Sequence, residues 1–332
     1  MSRVLRVGTR RSALARAQTD LVLGWLRASA PEARFEVVSL STEGDERRDV
    51  SLRELGGTGA FVKRIERALI GREIDLAVHS LKDVPTALEP GLLLAAVPER
   101  GDPRDALVLP APADMADGFP RVRDPVDALP RGARVGTGSA RRAAQLLQLR
   151  PDLELRDVRG NVDTRLRKLD AGELDALVLA AAGLERLGRA DRISRRLDPD
   201  ELMPMVGQGA LALEARADDR EAVALAARIE HAPSRACVEA ERAFLRRLGG
   251  GCALPVGALA TLEGDRLFLR VVVADPDGRQ VERRAGRAPL GEAAALAADL
   301  ADEALAALPL VAGAEVQPAG PALPPRQRPA QR

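Results

Sequence analysis

Aromatic residues make up 2% of this 332-residue chain, with no tyrosine and one tryptophan, Trp25. Stacking of nucleic-acid bases is therefore a poor basis for function. The cores must be packed from Ala, Leu and Val, and hydrophobic residues at 46% supply them amply. Histidine is scarce too, at His79 and His231 alone, and cysteine is limited to Cys237 and Cys252. Two cysteines make no disulfide framework, and a Cys/His metal site would need all four residues at spacings unlike any zinc pattern, so no metal is expected. Charge of one sign is also missing. The 50 basic residues face 49 acidic ones, which removes the bulk electrostatic reason to expect nucleic acid or an anionic membrane as partner. No apolar run approaches the length of a membrane span, and Met1 to Val7 read straight into a strand without a signal-type apolar core. A cytoplasmic protein is expected. No long exposed apolar stripe calls for a partner, so a monomer is expected as well.

Lysine occurs only at positions 63, 82 and 168, so arginine carries nearly all the positive charge. A coding bias toward Arg, Ala and Gly accounts for most surface positions. The alternative, that planar guanidinium forks grip carboxylates in pairs of hydrogen bonds, must be argued position by position.

The length exceeds what one core usually serves, so two or three domains are expected. Arg6-Val7-Gly8-Thr9 closes a short apolar strand, and Ser12 can cap a helix through Ala13, Leu21 and Leu26. The phrase returns as Arg134-Val135-Gly136-Thr137, with Ser139 opening a helix through Ala143 and Leu147. A second echo follows each copy: Gly71 to Val78 and Gly172 to Val178 both read as helix end, turn and buried strand. Two matched units predict two similar α/β lobes, with strand-end loops and helix N-termini converging on an anion-binding cleft. The run Ala210 to Ala215 is expected to return the chain to the first lobe, making that lobe discontinuous. Helix 234–248, strands near 256–262, 267–274 and 280–284, and helix 290–308 predict a third, α+β domain. Residues 110–130 read as an exposed excursion. The boundaries expected are 1–104 with 208–228, 105–207 and 229–312, followed by a proline-rich disordered tail, 313–332.

Cys237 shares a helical stripe with Ala240, Phe244 and Leu248, which reads as core. Cys252 follows Gly249-Gly250-Gly251 and precedes Pro255. Spacing leaves open whether it is a small residue in a tight turn or a reactive thiol to which a bulky group comes close. His79-Ser80-Leu81-Lys82-Asp83-Val84-Pro85 leaves a buried strand at its carboxyl end, where Lys82 and Asp83 are either a solvated turn or a projecting polar pair. His79 reads first as a structural residue. Arg10 and Arg11, and their repeats Arg141 and Arg142, lie at strand ends that should meet in the cleft, as do Arg159 and Arg165. A guanidinium-lined cleft suits several carboxylates, and no Walker or Rossmann glycine pattern competes.

These segments, with Asp102-Pro103-Arg104-Asp105, Arg159-Gly160-Asn161, Val206-Gly207-Gln208-Gly209-Ala210 and Gly250-Gly251-Cys252, together resemble the hydroxymethylbilane synthase (porphobilinogen deaminase) family from Arg6 to about Leu308. The resemblance implies two lobes similar to periplasmic binding proteins plus a third α+β domain. It implies a transferase of tetrapyrrole (haem) biosynthesis that adds four porphobilinogen units, each losing ammonia, to a dipyrromethane held by a thioether on Cys252, before water releases hydroxymethylbilane. Asp83 matches the catalytic carboxylate of the family. Lys82, Asp83, Thr137, Ser139, Arg141 and Arg142 match cofactor contacts. Arg10, Ser12, Phe61, Arg159, Arg165, Arg186 and Gln208 match substrate positions. Three positions depart from the common pattern: Thr58 and Glu54 where lysines are frequent, and Gly138 where serine is usual. A two-lobed solute-binding protein is the competing class, and the lack of a signal-type segment speaks against it.

Overall fold

The apolar phrase Val4 to Val7 becomes an inner strand of a sheet, with Leu5 and Val7 buried on one face. The computed structural model describes residues 3–41, 59–111, 126–127, 129–249, 255–275 and 277–308, with backbone only at 59–61. In chain order the first lobe is built from β1 (Val4–Arg10), α1 (Ala13–Ser29), β2 (Arg34–Leu40), α2 (Gly59–Ile70), β3 (Leu76–Ser80) and β4 (Leu92–Ala96). The second has β5 (Asp105–Val108), β6 (Arg134–Gly136), α3 (Ala140–Leu149), β7 (Glu154–Arg156), α4 (Val162–Asp170), β8 (Ala176–Ala180), α5 (Ala181–Arg186) and β9 (Arg195–Arg196). The chain then forms β10 (Leu211–Arg216), α6 (Arg220–Ala226), α7 (Ala232–Arg247), β11 (Val256–Glu263), β12 (Arg266–Ala274), β13 (Val281–Pro289) and α8 (Ala293–Ala307).

Two five-stranded sheets share one plan, ordered β2-β1-β3-β10-β4 and β7-β6-β8-β5-β9. In each, three parallel strands adjoin an antiparallel strand that arrives from the other half of the chain: β10 pairs Leu213 with Val78, and β5 pairs Leu107 with Val178. The fold is α/β with two alike lobes and a third small domain, as the repeated phrases predicted, and β10 does return to the first sheet.

The echoes have a physical cause. A side chain at Gly8 would sit 2.3 Å from Ile74, and one at Gly136 would sit 2.6 Å from Leu177 and 2.8 Å from Leu174. Glycine is thus required where apolar residues in or just before the neighbouring parallel strand, β3 or β8, press onto the first. Asp75 accepts from the Arg6 backbone N–H at 2.9 Å and from its guanidinium, and Asp175 takes the same two contacts from Arg134. Each echo therefore records a strand-locking carboxylate and its partner.

In the third domain β11, β12 and β13 form an antiparallel sheet, and α7 and α8 cover the face bearing Ala258, Leu269 and Val271. Cys237 lies in that core, where burial pushes its thiol up to about 11, so it is an inert packing residue as its helical spacing predicted. Some boundaries differ. The strand expected near 280–284 is longer: β13 continues to Pro289 because it keeps pairing with β12 to the end. The last helix opens as a 3₁₀ turn at Leu290–Glu292 before α8. Most of the 110–130 excursion, the loop with Glu54 and Thr58, Cys252 and the tail lie outside the described residues.

Candidate active site

β3 delivers its carboxyl end into one 3₁₀ turn, Leu81–Asp83. The Leu81 N–H donates to the Ala210 carbonyl at 3.0 Å, and the Val84 N–H closes the turn onto the Leu81 carbonyl at 3.0 Å. Leu81 and Val84 are buried with Val97, Ala212 and Val238, which leaves the half-buried Lys82 and Asp83 as the turn's outward pair. β1 ends beside it at Arg10, and Ser12 caps α1 by accepting from the Ala15 N–H at 3.2 Å. Arg10, Ser12, Gln18, His79, Ser80 and Asp83 line one cavity of about 60 Å³. Gln18 donates to the Ser80 hydroxyl at 2.8 Å across its floor. Among the described residues no hydrogen bond engages the Asp83 carboxylate.

His79 is buried, with Nε2 3.0 Å from Oε2 of the fully buried Glu214. The alignment is too poor for a hydrogen bond, since both Glu214 oxygens and His79 Nε2 have no hydrogen-bond partner among the described residues. Burial and the charge of Glu214 together push the nearby Glu66 carboxyl above its ordinary range. The structural role read for His79 fits this enclosed position.

The second lobe brings Arg141 and Arg142 to a single carboxylate. Asp105 is fully buried, with Arg141 Nη1 2.8 Å from Oδ2 and Arg142 Nη2 2.7 Å from Oδ1. The Gln208 amide donates to Asp105 at 3.0 Å and to the Pro103 carbonyl at 2.7 Å. Arg142 also donates to the Val178 carbonyl at 3.1 Å, and Ser139 caps α3 above them while its own N–H donates to Thr137 Oγ1 at 3.2 Å. Burial raises the Asp105 pKa, but Arg141 and Arg142 outweigh it and hold the carboxyl at about 2. Its stabilising charge is thus present above the ordinary carboxylate range and is lost only as pH falls toward 2. Asp105→Asn is expected to destabilise the fold by about 3–5 kcal/mol, because two guanidinium groups lose their buried counter-charge. Urea unfolding checks this, and an unchanged midpoint would show the arginines to be balanced otherwise.

Lys82 joins the two halves of the site electrostatically. Burial pushes its ammonium down to about 8, Arg142 and Arg141 push the same way, and Asp83 and Asp105 oppose them. Burial likewise brings Arg165 to about 10, with Arg142 adding to the effect and Asp157 opposing it. The cations here outnumber the carboxylates that face them. Arg186, also brought to about 10 by burial, donates to the Gly209 carbonyl at 2.5 Å. Arg159 lies further out, its Nε 3.0 Å from Asp157, with nearly half its side chain exposed. Gly138 stands where an added Cβ would come within 3.2 Å of Asp157 Oδ1 and 3.3 Å of the Val158 carbonyl, so a bulkier residue is tight there. The structure therefore gathers Arg10, Ser12 and Asp83 around one cavity, and Arg141, Arg142 and Gln208 around Asp105 with Lys82 and Arg165 in electrostatic reach. The Phe61 side chain and Cys252 lie outside the described residues. Asp105 was hidden in the Asp102-Pro103-Arg104-Asp105 motif. A lone acidic residue gives no sign in sequence that it will be buried between two arginines.

Two family descriptions match the chain: "Porphobilinogen deaminase, dipyromethane cofactor binding domain" over residues 5–224 and "Porphobilinogen deaminase, C-terminal domain" over residues 235–306. The chain belongs to the porphobilinogen deaminase family. The porphobilinogen deaminase of Roseiflexus sp. (strain RS-1) is 50% identical over 306 residues, covering 91% of this chain and 97% of the relative. That of Brevibacillus brevis is 49% identical over 277 residues, covering 83% and 86%. Among solved structures, an arginine-specific periplasmic binding protein from Salmonella typhimurium is 12% identical and covers 69% of this chain and 92% of its own, with a TM-score of 0.37. The fold assignment rests on strand order instead. With the family come the activity, polymerisation of porphobilinogen to hydroxymethylbilane by a transferase of tetrapyrrole biosynthesis, and the dipyrromethane cofactor. Each pyrrole of that cofactor carries an acetate and a propionate, and the surplus of half-buried and buried cations around Lys82, Arg141, Arg142 and Arg165 fits such a polyanion. The amide oxygen of Gln208, buried without a hydrogen-bond partner, is a further unmet polar group in the same place. No described helix is long and apolar enough to cross a membrane.

Proposed function

We propose that Asp83 is the catalytic carboxylate of this polymerisation and that Cys252 holds the dipyrromethane through a thioether. The supporting observation is the placement of Asp83: its carboxylate opens on the cavity shared with Arg10 and Ser12, while its neighbour Lys82 faces the cations of the second lobe. In each cycle the aminomethyl C–N bond of porphobilinogen breaks and ammonia leaves, and positive charge develops on the remaining methylene-pyrrole. Asp83 offsets that charge and accepts pyrrole N–H groups. When bound, the dipyrromethane supplies the free pyrrole carbon at which the new C–C bond forms, with loss of that carbon's proton.

The remaining site residues are assigned to carboxylate binding. Lys82, Thr137, Ser139, Arg141 and Arg142 hold the cofactor side chains, with a backbone N–H serving at Gly138. Arg10, Ser12, Phe61, Arg159, Arg165, Arg186 and Gln208 receive the substrate and the growing chain. The charge of Lys82 is lost as pH rises through about 8, so its grip on carboxylates weakens there. The lobes are assigned to 1–104 with 208–228 and to 105–207, and the cofactor-anchoring domain to 229–312. A cytoplasmic monomer acting without nucleic acid completes the reading. Mass spectrometry of the intact, natively purified protein tests it: the expected mass exceeds that of the polypeptide by two linked pyrrole units. Active protein at the bare polypeptide mass would refute the covalent cofactor.

A further inference from the structure

Arg242 is a cation in the wrong surroundings for a structural salt bridge. It lies on α7 at 3% exposure, and among the described residues no carboxylate comes within ion-pair distance of its guanidinium. Burial without such a partner pushes its pKa down. Its hydrogen bonds go instead to two neutral acceptors, the Val84 carbonyl at 3.1 Å and the Pro85 carbonyl at 2.6 Å, and its Nε has no partner. A guanidinium desolvated for two carbonyls is costly, and packing alone would be served better by an apolar side chain.

The two carbonyls belong to the residues that directly follow Asp83. At its start the 3₁₀ turn is held by the Leu81 N–H on Ala210, and Arg242 holds it just past its end. Val238, one helical turn earlier on the same face of α7, packs into the cluster that contains Leu81 and Val84. The helix does not need Arg242 for its own attachment. Its neighbour Glu241, fully buried, already ties α7 to Arg100 at 2.6 Å, to the Gly207 N–H at 2.8 Å and to the Ala260 N–H at 2.9 Å. In sequence, the end of this helix at Arg247 lies five residues before Cys252.

We infer that Arg242 is a positioning residue for the reaction: from the third domain it clamps the Val84 and Pro85 carbonyls and so sets where the Asp83 carboxylate stands in the cavity. One helix thereby carries both the orientation of the catalytic turn and the root of the cofactor arm. This rests on the assignment of Asp83 as the catalytic carboxylate.

The test compares Arg242→Met, Arg242→Lys, Arg235→Met and Asp83→Asn as full-length holoenzymes, by kcat and KM for porphobilinogen and by intact mass. Arg235 is a fitting control because it lies on the same helix and its hydrogen bonds go to Glu230 and to the Leu94 carbonyl of β4, not to residues of the turn. Arg242→Met is expected to retain the two-pyrrole mass and to lose about 10–100-fold in kcat, as a misplaced catalytic group does, with KM within about twofold of the parent. Arg242→Lys can reach one carbonyl and should recover part of that loss, and Arg235→Met should keep the parental kcat. The clamp is overturned if kcat of Arg242→Met is unchanged, if only KM moves, if its cofactor is missing, or if Arg235→Met loses as much. Should Arg242→Met fail to fold, Arg242→Lys decides, since a parental kcat there excludes the clamp. An active Asp83→Asn refutes the catalytic assignment itself, whereas an inactive Asp83→Asn beside a fully active Arg242→Met refutes the clamp alone.

Discussion

Asp83→Asn is expected to lower kcat by about 10²–10³-fold while the protein stays folded and keeps its covalent pyrroles. The size follows from what the carboxylate does. On this assignment, the cation left when ammonia departs from porphobilinogen forms beside the half-buried Asp83 carboxylate. A fixed negative charge there is worth far more than in water, and the amide of asparagine keeps the shape and loses the charge. Little stability should be lost, because no described hydrogen bond depends on the Asp83 carboxylate and the turn is held by backbone contacts at Leu81 and Val84. Steady-state turnover, thermal unfolding and intact mass, measured on one preparation, separate these effects. Near-parental turnover would remove Asp83 from the chemistry, and a loss of both folding and mass would assign it to structure.

Cys252→Ser is expected to abolish the thioether, leaving the bare polypeptide mass and no turnover, whereas Cys237→Ser should keep both mass and activity. The two thiols differ in surroundings more than in chemistry. Cys237 is enclosed by the core of the third domain beside Ala240 and Phe244, where burial opposes formation of the thiolate that would react. Cys252 follows three glycines, a backbone on which a bulky group can come close to the thiol. Intact mass decides between them: a Cys252→Ser protein that still carries two pyrroles, or a folded Cys237→Ser protein that lacks them, would reverse the assignment. Cys237→Ser also places a hydroxyl in an apolar core, so a modest loss of stability is expected from that variant and does not bear on attachment.

Much of the architecture was legible because the chain states it twice. Val7-Gly8-Thr9 and Val135-Gly136-Thr137, each followed by a strand-locking aspartate at Asp75 or Asp175, mark two lobes of one plan. The Ser12 and Ser139 caps were readable for the same local reason: a helix start needs an acceptor for its free N–H groups. The length of β13 was less legible. Its arginine-rich sequence has a weak apolar alternation, and pairing with β12 carries it to Pro289.

By itself the sequence determined the fold class, the family, the identity of Cys237 as core and the candidate residues of the turn at Asp83. These depend on local pattern, on repeated phrases and on motifs in fixed order. Only the tertiary structure decided what the charged residues face. Arg141 and Arg142 read as free guanidinium groups at a cleft, yet both are buried against Asp105. Nothing in the sequence singles out Arg242 from the other arginines of its helix, yet it ends on the carbonyls behind Asp83. The reason is that an arginine reaches far along its flexible stem, and whether it meets water, a carboxylate or a carbonyl is set by elements distant in the chain.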